Sequence, residues 1–490
     1  MSTETDVVIA GGGPVGLMLA AELALAGVRT TVLEREPTPP PHARAWGLHA
    51  RTAETLDRRG LLAPLLHEKA RWPKMPFAGL WPLLELSALD SDHPYLVNVP
   101  QTRVEAVLAD RAASAGAAIR RGGAVVGLRQ DADGVVVEAT GPDGVYEIRA
   151  LFAVGCDGGR STVRELAGID FPGTDPTVGS LLCDCTLPTM ADERRGITRT
   201  ERGTVNINPR PSGEVRIVTT EFGRPHADRG APVTAEEFRA AVRRVLGRDL
   251  DLVDPTYLTR FGDATRQARR YRAGRVLLAG DAAHVHFPYG GLGLNLGLQD
   301  AVNLGWKLAA EVSGWASEGL LDSYEAERHP VAAAVLEHSR TQLALLNPDR
   351  NVTALRVLFG ELLAIPEVNR LLAARCTGTD TEYPGARFAA DLALSTADGV
   401  TRLSGLLYEG RGVLVDLTGE DWAGRVAAPW AERVRVISAT AEGAPAAALL
   451  VRPDGYLAWS AGVGEAEPPE TGPQEAGLRE ALRTWFGVVV

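Results

Sequence analysis

Lysine is almost missing from this chain: Lys69, Lys74 and Lys307 are the only three, and arginine carries nearly all the positive charge. Acidic residues outnumber basic ones, 62 against 51, so the formal net charge is 51 − 62 = −11. That sign disfavours nucleic acid and anionic membrane as main partners. Cysteine is scarce too. Cys156, Cys183, Cys185 and Cys376 are too few for a disulfide framework. There is no Cys-x-x-Cys and no His-Glu-x-x-His, so no metal site is expected. The Cys183-x-Cys185 pair has the period of one strand face and reads as inert packing. No apolar run approaches the ~20 residues that span a bilayer. The first residues carry Glu4 and Asp6 where a secretory signal has positive charge. The expectation is a soluble, cytoplasmic protein.

What is present is ordinary globular material, 45% apolar and 23% charged over 490 residues, enough for about three domains. Asp6 to Ala10 is a short apolar run that reads as a buried parallel strand. Gly11-Gly12-Gly13-Pro14-Val15-Gly16 follows, with G-x-G-x-x-G at Gly11, Gly13 and Gly16. An Ala/Leu-rich helix runs to Ala26 and stops at Gly27. Thr30 to Leu33 is a second strand, ending in Glu34, 18 residues past Gly16. Each part has a physical task. Gly11 permits the tight turn, Gly13 lets the backbone approach a pyrophosphate, and Gly16 lets helix pack on strand. The helix N-terminus offers free N–H groups to phosphate, and the acid accepts from a ribose diol. The pattern defines a dinucleotide site and leaves FAD and NAD both open.

Two further strand ends carry motifs. Ala150 to Val154 runs into Cys156-Asp157-Gly158-Gly159-Arg160-Ser161-Thr162-Val163-Arg164. Far downstream, Gly274 to Ala279 runs into Gly280-Asp281-Ala282-Ala283-His284, then His286-Phe287-Pro288-Tyr289-Gly290-Gly291-Leu292-Gly293-Leu294-Asn295. A helix is expected from about 296 to 311.

The three motifs in this order resemble the group A flavoprotein monooxygenases, the FAD-dependent aromatic hydroxylases. Phe261 to Arg266 and Leu321 to Arg328 resemble the subgroup that acts on polycyclic polyketides and rifampicin-type antibiotics. The resemblance covers nearly the whole chain. It implies bound FAD, transient NADPH or NADH, O₂ as co-substrate, and hydroxylation through a flavin hydroperoxide. The substrate it implies is a small-molecule polycyclic aromatic, and the protein a monomer or homodimer. Baeyer–Villiger insertion, or flavin binding without oxygenase activity, are the alternatives.

By residue, the resemblance implies the following. Glu34 takes the ribose and Arg35 lies beside the adenosine. Arg44 contacts the cofactor near its phosphates, and Gln101 reaches the ribityl chain. Asp281 bonds the ribityl hydroxyls, and Pro288 lines the flavin ring. Gly293, Leu294 and Asn295 present backbone N–H groups to the pyrimidine edge. Asp157 serves FAD and NADPH, with Arg160 and Arg164 beside it. Val15 and Val125 join the cofactor-binding set. Plainer readings of the same residues stand beside these: Asp281 as a helix cap, Asp157 as a turn residue, Arg35 and Arg44 as surface charges, Gln101 as a polar helix start. His284 and His286 have no acid or nucleophile partner in the sequence and read as packing and hydrogen bonding.

Two departures from the family pattern stand out. Leu292 replaces the glutamine of Gly-Gly-Gln-Gly, and Trp46 stands where relatives carry smaller or polar residues and shapes the substrate mouth. Trp72, Phe77, Trp81 and Phe222 are candidate aromatic walls or core residues.

The expected fold is α/β: a discontinuous Rossmann-like FAD domain (1–70, 101–175 and 270–340) with an inserted antiparallel-sheet substrate domain (71–100 and 176–269). A helical linker (341–394) leads to a C-terminal domain (395–490) reading β-α-β-β-α, with an Asp454-Gly455 hairpin turn. That tail resembles the family's thioredoxin-like domain. It has no cysteine, which excludes thiol redox chemistry there.

Overall fold

The computed structural model describes residues 3–489 apart from 68–69, 143, 211–212, 227, 229 and 463–471. Strand Val7–Ala10 is buried at every position, as an apolar run without alternation must be when both sheet faces are covered. It sits inside a six-stranded sheet. The order is Arg272–Ala273, Val276–Leu278, Phe152–Gly155, Val7–Ala10, Thr30–Glu34 and Ala118–Arg121. All pairings are parallel except the first. Register places Gly155 opposite both Ala10 and Leu278. The three motifs, separated by well over a hundred residues, therefore leave the sheet along one carboxyl edge.

Helix Pro14–Leu25 starts with proline, whose missing N–H is no loss in a first turn. It crosses helix Leu292–Val312, where Gly305 permits close approach: a Cβ there would lie 2.5 Å from the Glu22 Cβ.

Residues 178–261 form a five-stranded antiparallel sheet. Its order is Gly196–Thr200, Gly203–Pro209, Val215–Phe222, Val178–Thr186 and Val253–Phe261. One face is apolar and packs on helix Ala235–Leu246, which Thr234 caps and Gly247 (φ 74°) ends. Cys183 and Cys185 are buried in that core.

Helices Ser323–Leu346, Arg350–Leu363 and Pro366–Thr377 lead to the C-terminal sheet. Its strand order is Val434–Ser438, Gly412–Asp416, Ala448–Val451 and Leu457–Ala461, parallel in the first pair and antiparallel in the rest. Helices Trp422–Ala427 and Pro473–Phe486 complete the expected β-α-β-β-α order, and Gly455 makes the hairpin turn at φ 87°.

The turn before Tyr456 docks this domain through buried charge, beside aromatic packing of Trp306 on Trp485 and Phe486. Arg452 pairs with Glu327 at 2.6 Å and with Asp454, and Lys307 reaches the same Glu327 at 2.6 Å. Arg59, paired with Glu22 at 2.7 Å, donates to the Pro453 carbonyl. Tyr383 stacks on Tyr456 with ring centroids 4.1 Å apart.

Candidate active site

The glycine turn is built by exclusion. Gly11 sits at φ 106°, and a Cβ on it would lie 2.3 Å from the Cys156 carbonyl oxygen, so the first motif presses on the second. A Cβ on Gly16 would lie 2.0 Å from the Gly11 carbonyl oxygen. Val15 is wedged between Gly280 and Gly297, where added Cβ atoms would lie 2.9 and 2.6 Å from its Cγ2. That contact joins the first motif to the third. Gly13 differs. It caps the helix without a side-chain partner, and nothing lies within 4 Å of its Cβ direction. The first turn carries no acidic residue, so its N–H groups face an open cradle suited to phosphate.

Glu34 ends its strand beside this cradle, accepting from the Gly12 N–H at 2.6 Å and the Glu36 N–H at 2.9 Å. Arg35 is exposed and pairs only loosely with Glu36. Gln101 opens helix Gln101–Ser114, accepts from the Ala45 N–H at 3.2 Å and donates to Glu105 at 2.8 Å. It thus pins the segment that carries Arg44, whose side chain is exposed. Val125 is half-buried at the start of strand Val125–Gln130, against the main core.

Asp281 lies just past strand Val276–Leu278. It caps no helix: the long helix begins eleven residues later, with Gly291 as its N-cap. Its side chain is exposed, and its Oδ1 and the His286 Nε2 both approach the Gly293 position, at 3.8 and 3.4 Å from an added Cβ. Pro288 is exposed at the same mouth. Gly290 and Gly291 adopt φ 79° and 67° to turn the chain into helix Leu292–Val312. No side chain caps that helix and no acid sits in its first turn. The amides around Gly293 and Leu294 are left for an acceptor outside the helix. Asn295 accepts from the His49 N–H at 2.8 Å and donates to the Gly291 carbonyl at 2.9 Å, fixing the turn. Leu292 is buried, its Cγ 3.5 Å from the Gly290 Cβ direction. Gln342 packs on the same turn with a buried Nε2 that has no protein partner.

The sequence reading found no acid for His284, and the structure supplies one. Asp300, fully buried about two turns into the helix, takes His284 Nε2 at 2.7 Å, Arg328 Nε at 2.7 Å and the Gly280 N–H at 3.1 Å. Burial pushes this carboxyl up, but Arg328 and His284 overcome that and hold it below the usual carboxylate range. The network fixes the Gly280-Asp281 turn. Its members come from three separated stretches: His284 stands in the Gly280–His284 motif and Arg328 in Leu321–Arg328, while no sequence signal singled out Asp300. His49 and His338 lie behind the loop, and burial pulls both down to about 4.

Asp157 keeps its carboxylate for its own turn, accepting from the Ser161 hydroxyl and from the Val163 N–H at 3.1 Å. Arg164 bonds the Ala282 carbonyl at 3.0 Å and stacks on Phe171, and Arg160 is exposed.

The aromatic candidates separate. Phe77 is a core residue packed against His338, and Trp72 and Trp81 stand on the surface, 45% and 68% exposed. Phe77 thus takes the core alternative, and these three form no common wall with one another. They sit on short strands and turns whose burial the local pattern does not encode. Phe222 does join a cluster at the flavin loop, with Phe261, Phe287 and Tyr289.

The face of the five-stranded sheet opposite its helix is ordered in three cross-strand rows. Phe261, Ser180, Thr220 and Thr204 form the first; Thr259, Leu182, Val218 and Asn206 the second; Tyr257, Asp184, Arg216 and Asn208 the third. The flavin loop closes the first row, with Tyr289 Oη 3.3 Å from Thr204 Oγ1 and Phe287 against Phe261. Residues 42–44 close the third. Arg216, paired with Asp184 at 2.6 Å, donates to the Ala43 and Arg44 carbonyls, and His42 stacks on Tyr257. The middle row lies between as a trough, with Asn206, Val218 and Thr259 only half-buried. Trp46 stands at its end beneath the Arg210 guanidinium, 4.0 Å from the ring centroid.

An open phosphate cradle, an acid at the second strand end and an uncapped helix N-terminus fit FAD, so fold and site define an FAD-binding protein. Residues 4–339 match the FAD binding domain family model and residues 381–488 the aromatic-ring hydroxylase C-terminal model. The chain belongs to this family of FAD-dependent aromatic-ring monooxygenases. A Streptomyces rimosus 12-dehydrotetracycline 5-monooxygenase/anhydrotetracycline 6-monooxygenase is 48% identical, over 98% of this chain and 99% of that protein. A rifampicin monooxygenase of Streptomyces venezuelae is 44% identical over 98% of each. A dialkyldecalin synthase of Streptomyces rugosporus is 42% identical, also over 98% of each. The solved anhydrotetracycline hydroxylase of Streptomyces rimosus superposes with a TM-score of 0.92 at 47% identity, over all of both chains.

Proposed function

We propose that this enzyme hydroxylates a polycyclic phenol of the polyketide or antibiotic type, using NADPH or NADH as reductant. Bound FAD supplies oxygen activation and transfer. The chain supplies position, field and dryness. Gly13 and the first turn of helix Pro14–Leu25 hold the pyrophosphate, Glu34 the adenosine ribose and Asp281 the ribityl hydroxyls. The uncapped amides at Gly293 and Leu294 stabilise negative charge at the flavin's pyrimidine edge. Those donors are backbone groups, so Leu292 in place of glutamine leaves them intact. The substrate lies in the trough between the flavin loop and residues 42–46, whose two closed rows exclude water on either side. Asp184 is the carboxylate nearest the trough, and Arg216 holds both its oxygens, so it is no free base.

The observation that carries this reading is the convergence of three motifs on one sheet edge, with the loop of the third closing one side of that trough. The test is coupled NADPH and O₂ consumption over a panel of para-hydroxybenzoate, simple phenols, anthracyclinone-type aglycones and rifamycins. Coupled turnover on polycycles is expected. Efficient turnover of a single-ring phenol, with none on the polycycles, contradicts the proposed substrate class.

A further inference from the structure

Two polar atoms on this face of the sheet are buried without a hydrogen-bond partner: Asn206 Oδ1 in the trough, and Arg210 Nε just past the end of the same strand, beside Trp46. Both residues follow one strand, Gly203–Pro209, whose pairing continues through the bond from the Arg210 N–H to the Glu214 carbonyl. Positions 206, 208 and 210 share a face by the period of two. This face turns toward the flavin loop and residues 42–46, away from the helix side where Val205 and Ile207 are buried. We propose that Asn206 and Arg210 form the recognition edge of the trough, and that they bind a fused polycyclic phenol through an ionised ring oxygen at Arg210 and a ring hydroxyl at Asn206.

The chemistry follows from what each group lacks. A buried acceptor and a buried donor left unpaired cost free energy that a ligand can recover. Of the two carboxylates whose charge acts on Arg210, Asp184 has both oxygens taken by Arg216. Arg210 therefore lies beside a second cation, Arg216, with Trp46 against its guanidinium and the charges of Asp184 and Glu214 offsetting only part of that repulsion and of its burial. Burial first, and Arg216 next, pull its guanidinium down to about 9, the direction that a ligand's negative charge reverses. Trp46 holds the guanidinium plane, which reduces the cost of ordering it for an oxyanion. Four residues of strand separate the two groups by about 13 Å from Cα to Cα. That span suits a linear multi-ring skeleton with oxygen at both ends and exceeds a single ring. The same pairing gives Trp46, unexplained by the cofactor, a role as the platform for Arg210.

This inference rests on the trough being the substrate bed, and the experiment separates the two claims. The probe is anthraflavic acid, a dihydroxyanthraquinone with one hydroxyl at each end. Its dimethyl ether keeps the shape and loses the charge and the donors. Binding to FAD-loaded, oxidised enzyme is read from the flavin spectrum without NADPH, so turnover does not enter. Arg210→Met is expected to weaken anthraflavic acid by about tenfold or more above the phenol's pKa, and Asn206→Leu by several-fold. Neither is expected to change the ether's affinity or the FAD dissociation constant. Arg210→Lys recovers part of the loss. Wild-type affinity in both variants overturns the inference, as does equal loss of the phenol and its ether, or failure of wild type to bind the phenol. Wild type that binds the phenol with this variant pattern, yet consumes no oxygen with any polycycle, supports the recognition edge and contradicts the hydroxylase reading.

Discussion

Two glycines three residues apart do opposite jobs, and substitution separates them. Gly16→Ala places a methyl 2.0 Å from the Gly11 carbonyl oxygen, so helix and strand must part, and a folded, flavin-free protein is not expected. Gly13→Ala meets nothing within 4 Å, at a φ of −78° that alanine adopts freely. The apo protein is expected to melt within a few degrees of wild type, while its FAD dissociation constant rises tenfold or more. Thermal melts and flavin fluorescence titration read both, and normal FAD affinity in Gly13→Ala removes the cradle. Asp281→Ala is expected to weaken FAD more than Gln101→Ala. A carboxylate accepting two ribityl hydroxyls is worth roughly 1.5–3 kcal/mol, against roughly 0.5–1.5 for a neutral amide bond. Gln101 also has protein partners to keep, in Ala45 and Glu105. Equal FAD affinity for wild type and Asp281→Ala rejects the assignment.

Among the elements, the turn from Pro288 to Asn295 is held from behind by neutral imidazoles. His49 packs within reach of the Gly290 and Cys376 backbones, and His338 lies 3.1 Å from Cys376 Sγ, with Arg375 and His286 nearby. Burial lowers both folded-state values to about 4, from 6.5. A lowered histidine value means the folded state binds fewer protons than the unfolded chain. The stability is therefore complete above pH 6.5 and is lost as pH falls from 6.5 through about 4. Melting temperature and bound flavin are expected to fall together across that window, with His338→Gln flattening the slope. A flat pH profile in wild type contradicts this. The elements were legible where their signal was local. Strand, glycine turn and helix at residues 7–25 could be read directly, as could the β-α-β-β-α tail. The Asp300 cluster could not, because His284, Asp300 and Arg328 meet only through packing. The trough could not either: alternation along Gly203–Pro209 is visible, but the register that lines up Asn206 with Val218 is set by neighbouring strands.

For the whole molecule, the C-terminal domain is fastened to the flavin side by charge. Arg452, fully buried, joins Glu327 and Asp454, and stacks on Trp485 with its Cζ 4.4 Å from the ring centroid. Burial pushes the Glu327 carboxyl up, but Arg452 and Lys307 outweigh it and hold it at about 2. Arg452→Met takes the cation from Asp454 and leaves Glu327 with Lys307 alone, and is expected to cost about 3 kcal/mol. Calorimetry is expected to show one transition that moves down as a unit. A separate early melt of the tail, with the flavin domain unchanged, contradicts that coupling. None of this network was legible in the chain, since Lys307, Glu327 and Arg452 come from three distant elements.

Among the relatives, one fold serves monooxygenases and a dialkyldecalin synthase, so oxygen transfer itself is the claim to measure. The measurement is the mass of the product formed from a polycyclic phenol by FAD-loaded enzyme with NADPH under heavy-isotope O₂. The account predicts a phenol-retaining product that gains one labelled oxygen atom, with NADPH and O₂ consumed in step. A product isomeric with its substrate, formed without oxygen uptake, contradicts it.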